Sequence, residues 1–240
     1  EYVTFVDPDD TVKPNYIQEF MVNRGSDVIF FDFELVDSKG DVIKKLNVNP
    51  FYSSENSEKM NLKYFMLTKH ASWTRIYKSD FLSDFRFPLG KIYEDAFYHY
   101  DLINYADKYA VSTKPYYYYC HRGDSITTKP YREIDLVYID IYKKYYDLIS
   151  KEYRGLLDEA FFRLSYAHFF ILDKMLLEKD YRKLEHYREV LSFLKRNAIK
   201  ISKNTIFRRN RRIAALVLFV NVKLYRKLLF SNIENSKRIH

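Results

Sequence analysis

Hydrophobic and polar positions in the first half of the chain switch between two spacings, one suited to strands and one to helices. Tyr2–Val6 is a short apolar run of strand formers that stops at Asp7-Pro8-Asp9-Asp10. Pro14–Asn23 takes helical spacing, with the proline at the first turn, where its missing N–H costs nothing. In DVIFFDFELVDSKGDVIKKLNV, two strand-forming runs flank Ser38-Lys39-Gly40-Asp41, a composition suited to a hairpin turn. The pattern predicts a helix over 54–69, an extended segment in SWTRIYKS and a loop in RFPLGKIY. In YEDAFYHYDLINYADKY, residues Ala96, Phe97, Tyr100, Leu102 and Ile103 recur as on a helix. AVSTKPYYYYCHRGDSITT then returns to strand, with a turn at Gly123-Asp124. Alternation of this kind is expected of an α/β sheet domain.

After Pro130 the character changes. Residues 131–240 contain one glycine and no proline, and GLLDEAFFRLSYAHFFILDKMLL and LEHYREVLSFLKR carry clear helical periodicity. The expected organisation is an α/β portion over 1–130 and a helical portion over 131–240, with no internal repeat.

Charge separates the two portions further. From Lys195 onward there are 13 Lys or Arg against one acid, Glu234, so the preceding residues are net acidic although the chain totals +8. Within this basic tail Ile213, Leu216, Val217, Val220, Leu224 and Leu228 fall on one helical face, with Arg212, Lys223, Arg226 and Lys227 beside or opposite it. The uncharged run 213–222 is too short to span a bilayer. Two readings stand: a helix in residues 195–230 that lies on an anionic membrane surface, or one that packs its apolar face on the protein body. No reader motif accompanies the cluster, so nucleic acid is not an expected partner.

Composition narrows the class. With 47% hydrophobic and 30% charged residues the chain is a folded protein rather than a disordered one. Its 24 Tyr and 19 Phe supply core and half-buried surface. A single cysteine, Cys120, excludes an internal disulfide and a cysteine-based zinc cluster and fits a reducing compartment. No signal peptide or membrane span stands out, so a cytoplasmic protein, peripheral at most to the inner face of the cell membrane, is expected.

The carboxylates after the first apolar run are the leading chemical candidates. In a strand Asp7 and Asp9 would share a face, and oxygen donors at a strand's carboxyl end suit a hard divalent cation, Mg²⁺ or Mn²⁺. Aspartates in such places also form turns and cap helices, and Asp10 stands well for a cap before the helix at 14. Glu94 and Asp95 open another helix, where acids favour the macrodipole.

EYVTFVDPDDTVKPNYI resembles a segment of the family 2 glycosyltransferases that usually reads G-x-Y-[IV]-x-F-[IVL]-D-S-D-D, with Pro8 where serine is commoner. SWTRIYKSDFLSDFRFPLGKIYEDAFYHY is similar to that family's W-x-K-[IL]-Y-K…F-P-x-G-x-x-x-E-D block, with Arg75 in place of its first lysine. YYYYCHRGDSIT resembles its closing Y-Y-Y-R-x-R-x-x-S-I-T strand, with Cys120 and His121 as departures before Arg122. The three matches keep the family's order across residues 1–128.

The resemblance implies the C-terminal half of a GT-A-type mixed sheet, followed by an α-helical extension. It implies an inverting transferase that moves a sugar from a nucleotide-diphosphate donor to a hydroxyl of a growing, lipid-linked or free, cell-surface glycan. By the same resemblance Asp7 and Asp9 hold Mn²⁺ or Mg²⁺ on the donor diphosphate, Asp95 is the catalytic base and Glu94 supports it. Arg122 and His121 are candidates for the diphosphate, and Trp73 for the acceptor side. The family's nucleotide-binding half, which precedes the first matched segment, has no counterpart here, so the chain is expected to begin within a domain. The alternative is a non-catalytic interaction or membrane-surface module whose acids are caps and turns.

Overall fold

The computed structural model describes residues 1–22, 24–37, 39–46, 67, 71–80, 86–103, 105–106, 108–120 and 129–238. The chain forms two compact units, Glu1–Thr128 and Lys129–His240.

The first unit is a mixed α/β sheet. Its strands are β1 (Tyr2–Thr4), β2 (Thr11–Val12), β3 (Val28–Val36), β4 (Val42–Leu46), β5 (Arg75–Lys78) and β6 (Tyr109–Cys120). They are ordered β1-β5-β3-β6-β2, with β4 also paired to β3. The β3–β6 pair is parallel and the others are antiparallel. Central β3 is buried along almost its whole length, which explains its nearly continuous apolar sequence. The predicted hairpin forms between β3 and β4. Asp37 Oδ1 accepts the backbone N–H groups of Lys39 (2.8 Å) and Asp41 (2.9 Å), and Gly40 supplies the positive φ of 88° that the turn needs.

Helix α1 (Tyr16–Val22) lays Tyr16 and Phe20, one turn apart, against Phe31 and Tyr117 of the sheet. Rings buried in this way contribute about 2 kcal/mol each. Helix α2 (Glu94–Leu102) buries Ala96, Tyr98, His99 and Leu102. SWTRIYKS is part helical turn and part strand: Ser72–Thr74 make one 3₁₀ turn before β5. The helix expected over 54–69 lies outside the described residues apart from Leu67.

The second unit is helical, with α3 (Val137–Glu152), α4 (Leu157–Leu177), α5 (Tyr187–Lys203), α6 (Arg209–Val220) and α7 (Val222–Arg238). Its core gathers Phe161, Phe169, Leu172, Leu194, Leu218 and Tyr225, among others. Buried Lys174 of α4 pairs with buried Asp135 at 2.6 Å.

The basic tail departs from the single amphipathic face expected of it. The helix breaks at Asn221, whose side-chain oxygen caps α7 by accepting from the N–H groups of Lys223 (2.9 Å) and Leu224 (3.2 Å). The tail does pack on its own unit, but through Ala215, Leu218 and Tyr225 rather than through the expected face. Of that face only Val217 joins the core, while Ile213, Leu216, Val220, Leu224 and Leu228 stay exposed.

Candidate functional site

Six residues join β1 at one edge of the sheet to β2 at the other, and they carry the leading acids. β1 ends at Thr4, so Asp7 and Asp9 lie outside any strand. They stand instead in a β-turn closed by the Asp10 N–H on Asp7 O (3.0 Å), with Pro8 pre-setting the first corner. The shared strand face expected of Asp7 and Asp9 is therefore replaced by turn geometry.

Asp10 is not a helix cap either, because β2 intervenes before α1. Its buried carboxylate fastens the turn to β6. Oδ2 accepts from the Tyr117 hydroxyl (2.7 Å) and Oδ1 from the Cys120 N–H (2.8 Å). The same hydroxyl accepts the backbone N–H of Asp7 at 3.0 Å. Burial, followed by the bond to Asp10, raises the phenol's pKa far above its ordinary value, so it stays protonated and keeps donating. The half-buried Asp7 and Asp9 are held beside this anchor.

Asp95 occupies the first turn of α2, and Tyr93, just before that helix, adopts a left-handed φ of 59°. Ser72 Oγ donates to Asp95 Oδ1 at 2.5 Å. Burial pushes the Asp95 carboxyl upward and neighbouring Glu94 adds to this, while Ser72 and the Arg75 guanidinium favour its ionised form. Arg75 is completely buried. Its Nη1 lies against the His99 ring (2.6 Å from Nδ1, 2.8 Å from Nε2), one nitrogen of which accepts from it, and the guanidinium lies 4.9 Å from the Phe30 ring centre. The Tyr77 hydroxyl meets His99 Nε2 at 2.5 Å.

The two acidic segments converge. Asp7 has its pKa raised to about 6, first by burial and then by the charges of Asp10, Asp95, Asp9 and Glu94. Residues 88 positions apart in the chain thus act on one carboxyl. Repulsion among acids around a half-buried oxygen donor is relieved by a cation, and an all-oxygen donor set suits Mg²⁺ or Mn²⁺. Among the described residues, the three metal-type side chains with donor atoms within 4.8 Å of one another are Glu133, Glu185 and His186, all exposed in the helical unit. The acids around Asp7 are spread more widely. That arrangement fits an ion held by one or two carboxylates with substrate phosphates completing its shell.

Trp73 is half-buried. It stacks on Tyr117 (4.7 Å between ring centres, 22° between planes) and Tyr119 (5.0 Å, 9°), and meets Phe33 edge-on. Through Tyr117 it braces the acidic turn. Arg122 and His121 lie outside the described residues. Sequence reasoning missed Ser72, Tyr77, His99 and Tyr117. The available signal was proximity to matched motifs: Ser72 precedes Trp73, and Tyr117 sits within the YYYY run.

No protein-family model matches this chain, and no curated protein matches it.

Proposed function

We propose that the chain is part of an inverting glycosyltransferase of the family 2 type, with a GT-A-like sheet, acting on a nucleotide-diphosphate sugar and a hydroxyl of a growing surface glycan. One observation carries the reading: Asp95 and Glu94 act electrostatically on Asp7, although the two segments are far apart in sequence. Three motif-like segments in family order support it.

In this reading Asp7 and Asp9 hold Mn²⁺ or Mg²⁺, which when bound neutralises charge on the donor diphosphate. Asp95 takes the proton of the acceptor hydroxyl as the new bond to the anomeric carbon forms. The bond from that carbon to the diphosphate oxygen breaks, and the nucleoside diphosphate leaves with the bonding pair, which inverts the anomeric centre. Ser72 and Arg75 favour the ionised form of Asp95 and oppose the upward push of its burial. Arg122 and His121 are assigned to the diphosphate through the resemblance alone.

The test uses the full-length protein, with a panel of nucleotide sugars and Mn²⁺, and measures nucleoside diphosphate release. Asp95→Asn is expected to lower turnover by about 10³-fold with donor binding kept. Asp7→Asn or Asp9→Asn is expected to abolish metal-dependent donor binding. Wild-type turnover by Asp95→Asn would refute the base assignment.

A further inference from the structure

The helical unit contains a cleft of about 740 Å³. Lys179, Arg182 and Lys183, which follow α4, form one wall, and Lys223, Arg226 and Lys227 of α7 form the other. Asp180 contributes the only carboxylate to this lining and pairs with Lys183 at 3.3 Å. Six cations facing one acid make a strongly positive concavity that attracts anions.

The cleft is built around Arg226. Its Nε donates to Leu176 O (2.6 Å) and its Nη2 to Glu178 O (3.3 Å), carbonyls at the end of α4. The guanidinium is packed against Tyr181 (4.9 Å) and Phe230 (5.0 Å). These contacts fix the spacing of α7 from the 179–183 turn, and the exposed lysines ride on that framework.

Apolar side chains sit beside the charges. At 100° per residue, Leu224 and Leu228 share the exposed arc of α7 with Lys227. They are 48% and 45% exposed, and on α6 Val220 is 78% exposed. Leucines left in water beside a cleft rich in lysine match a surface that offers phosphate above and hydrocarbon below. Among the described residues no helix is long and apolar enough to cross a membrane, so a surface contact is the geometry these groups fit.

We infer that this cleft and the exposed leucines of α7 dock the chain on an anionic phospholipid bilayer. Headgroup phosphates enter the cleft, and Leu224 and Leu228 insert at the acyl boundary. This inference is independent of the glycosyltransferase reading.

The test is flotation of the full-length protein with vesicles of phosphatidylcholine alone or with about one-third phosphatidylglycerol. Binding to the anionic vesicles is expected to be at least about tenfold stronger and to weaken at high salt. Lys223→Glu/Lys227→Glu is expected to lose about tenfold or more of that binding. Leu224→Ser/Leu228→Ser, which keeps every charge, is expected to lose several-fold. These positions are exposed, and circular dichroism and melting of each variant, expected to be unchanged, check that it still folds. Equal binding by either double variant overturns the proposal. So does complete competition by millimolar pyrophosphate or by a short RNA, which would mark the cleft as a site for a soluble polyanion.

Discussion

The Tyr117 hydroxyl donates to Asp10 Oδ2 at 2.7 Å while accepting the Asp7 N–H at 3.0 Å, so one phenol on β6 fixes both ends of the acidic turn. Tyr117→Phe removes both bonds and leaves the ring. The expected cost is about 2 kcal/mol in urea unfolding, because a buried carboxylate loses a donor. Hydrogen exchange at the Asp7 amide should speed up in the same variant. An unchanged Asp7 exchange rate would mean that the phenol does not anchor the turn.

Asp7 ionises against its surroundings. Its folded pKa of about 6 lies above the ordinary aspartate value of 3.8, so between these pH values the folded state binds more protons than the unfolded state. The contribution to stability is therefore full below pH 3.8 and is lost as pH rises through 6. Solvent screens a half-buried group, and the penalty at pH 7 is on the order of 1 kcal/mol. In metal-free buffer at pH 7, Asp7→Asn should melt at a higher temperature than wild type, and the gap should close at pH 4. Added Mn²⁺ should stabilise wild type and leave the variant unmoved. A variant less stable than wild type at pH 7 without metal would contradict this account.

Legibility in the sequence followed the range of the interactions. The β3–β4 hairpin was readable because Asp37 and Gly40 make its turn locally. Helix α2 was readable from its own spacing. Asp10 was misread because an aspartate after a strand suits a helix cap as well as a sheet anchor, and its partner is 107 residues away. Arg75 stood out in the sequence only as a substitution in a motif, with nothing to show a buried guanidinium against His99. In the tail, apolar periodicity ran smoothly through Asn221, and the break shows in its extended backbone and its capping bonds.

Ser72 positions Asp95 and, in the proposed reaction, sets its protonation. The hydroxyl favours the carboxylate form, so Ser72→Ala should raise the Asp95 pKa further above its ordinary range. The acid limb of the pH profile for sugar transfer should move to higher pH. The variant should lose more of the wild-type kcat/KM at acid pH than at alkaline pH, where both carboxyls are ionised. A uniform loss at every pH would assign Ser72 a structural role only.

His168 gives the helical unit its own pH response. The ring is buried in α4, stacks on Phe193 at 3.6 Å between centres, and donates from Nδ1 to Leu164 O at 2.8 Å. Burial lowers its pKa from 6.5 to about 4, against smaller opposing effects of the Leu164 bond and Glu189. Between those values the unfolded chain binds more protons, so stability rises with pH across this window. The contribution is full above pH 6.5 and is lost as pH falls toward 4, by up to about 3 kcal/mol. His168→Gln has no charge to gain, and the carboxylates that titrate nearby are common to both proteins. Urea unfolding of wild type and variant at pH 4, 5.5 and 7 should therefore give a stability difference that shrinks on acidification. A difference that stays constant with pH would show that the imidazole is not held neutral by its burial.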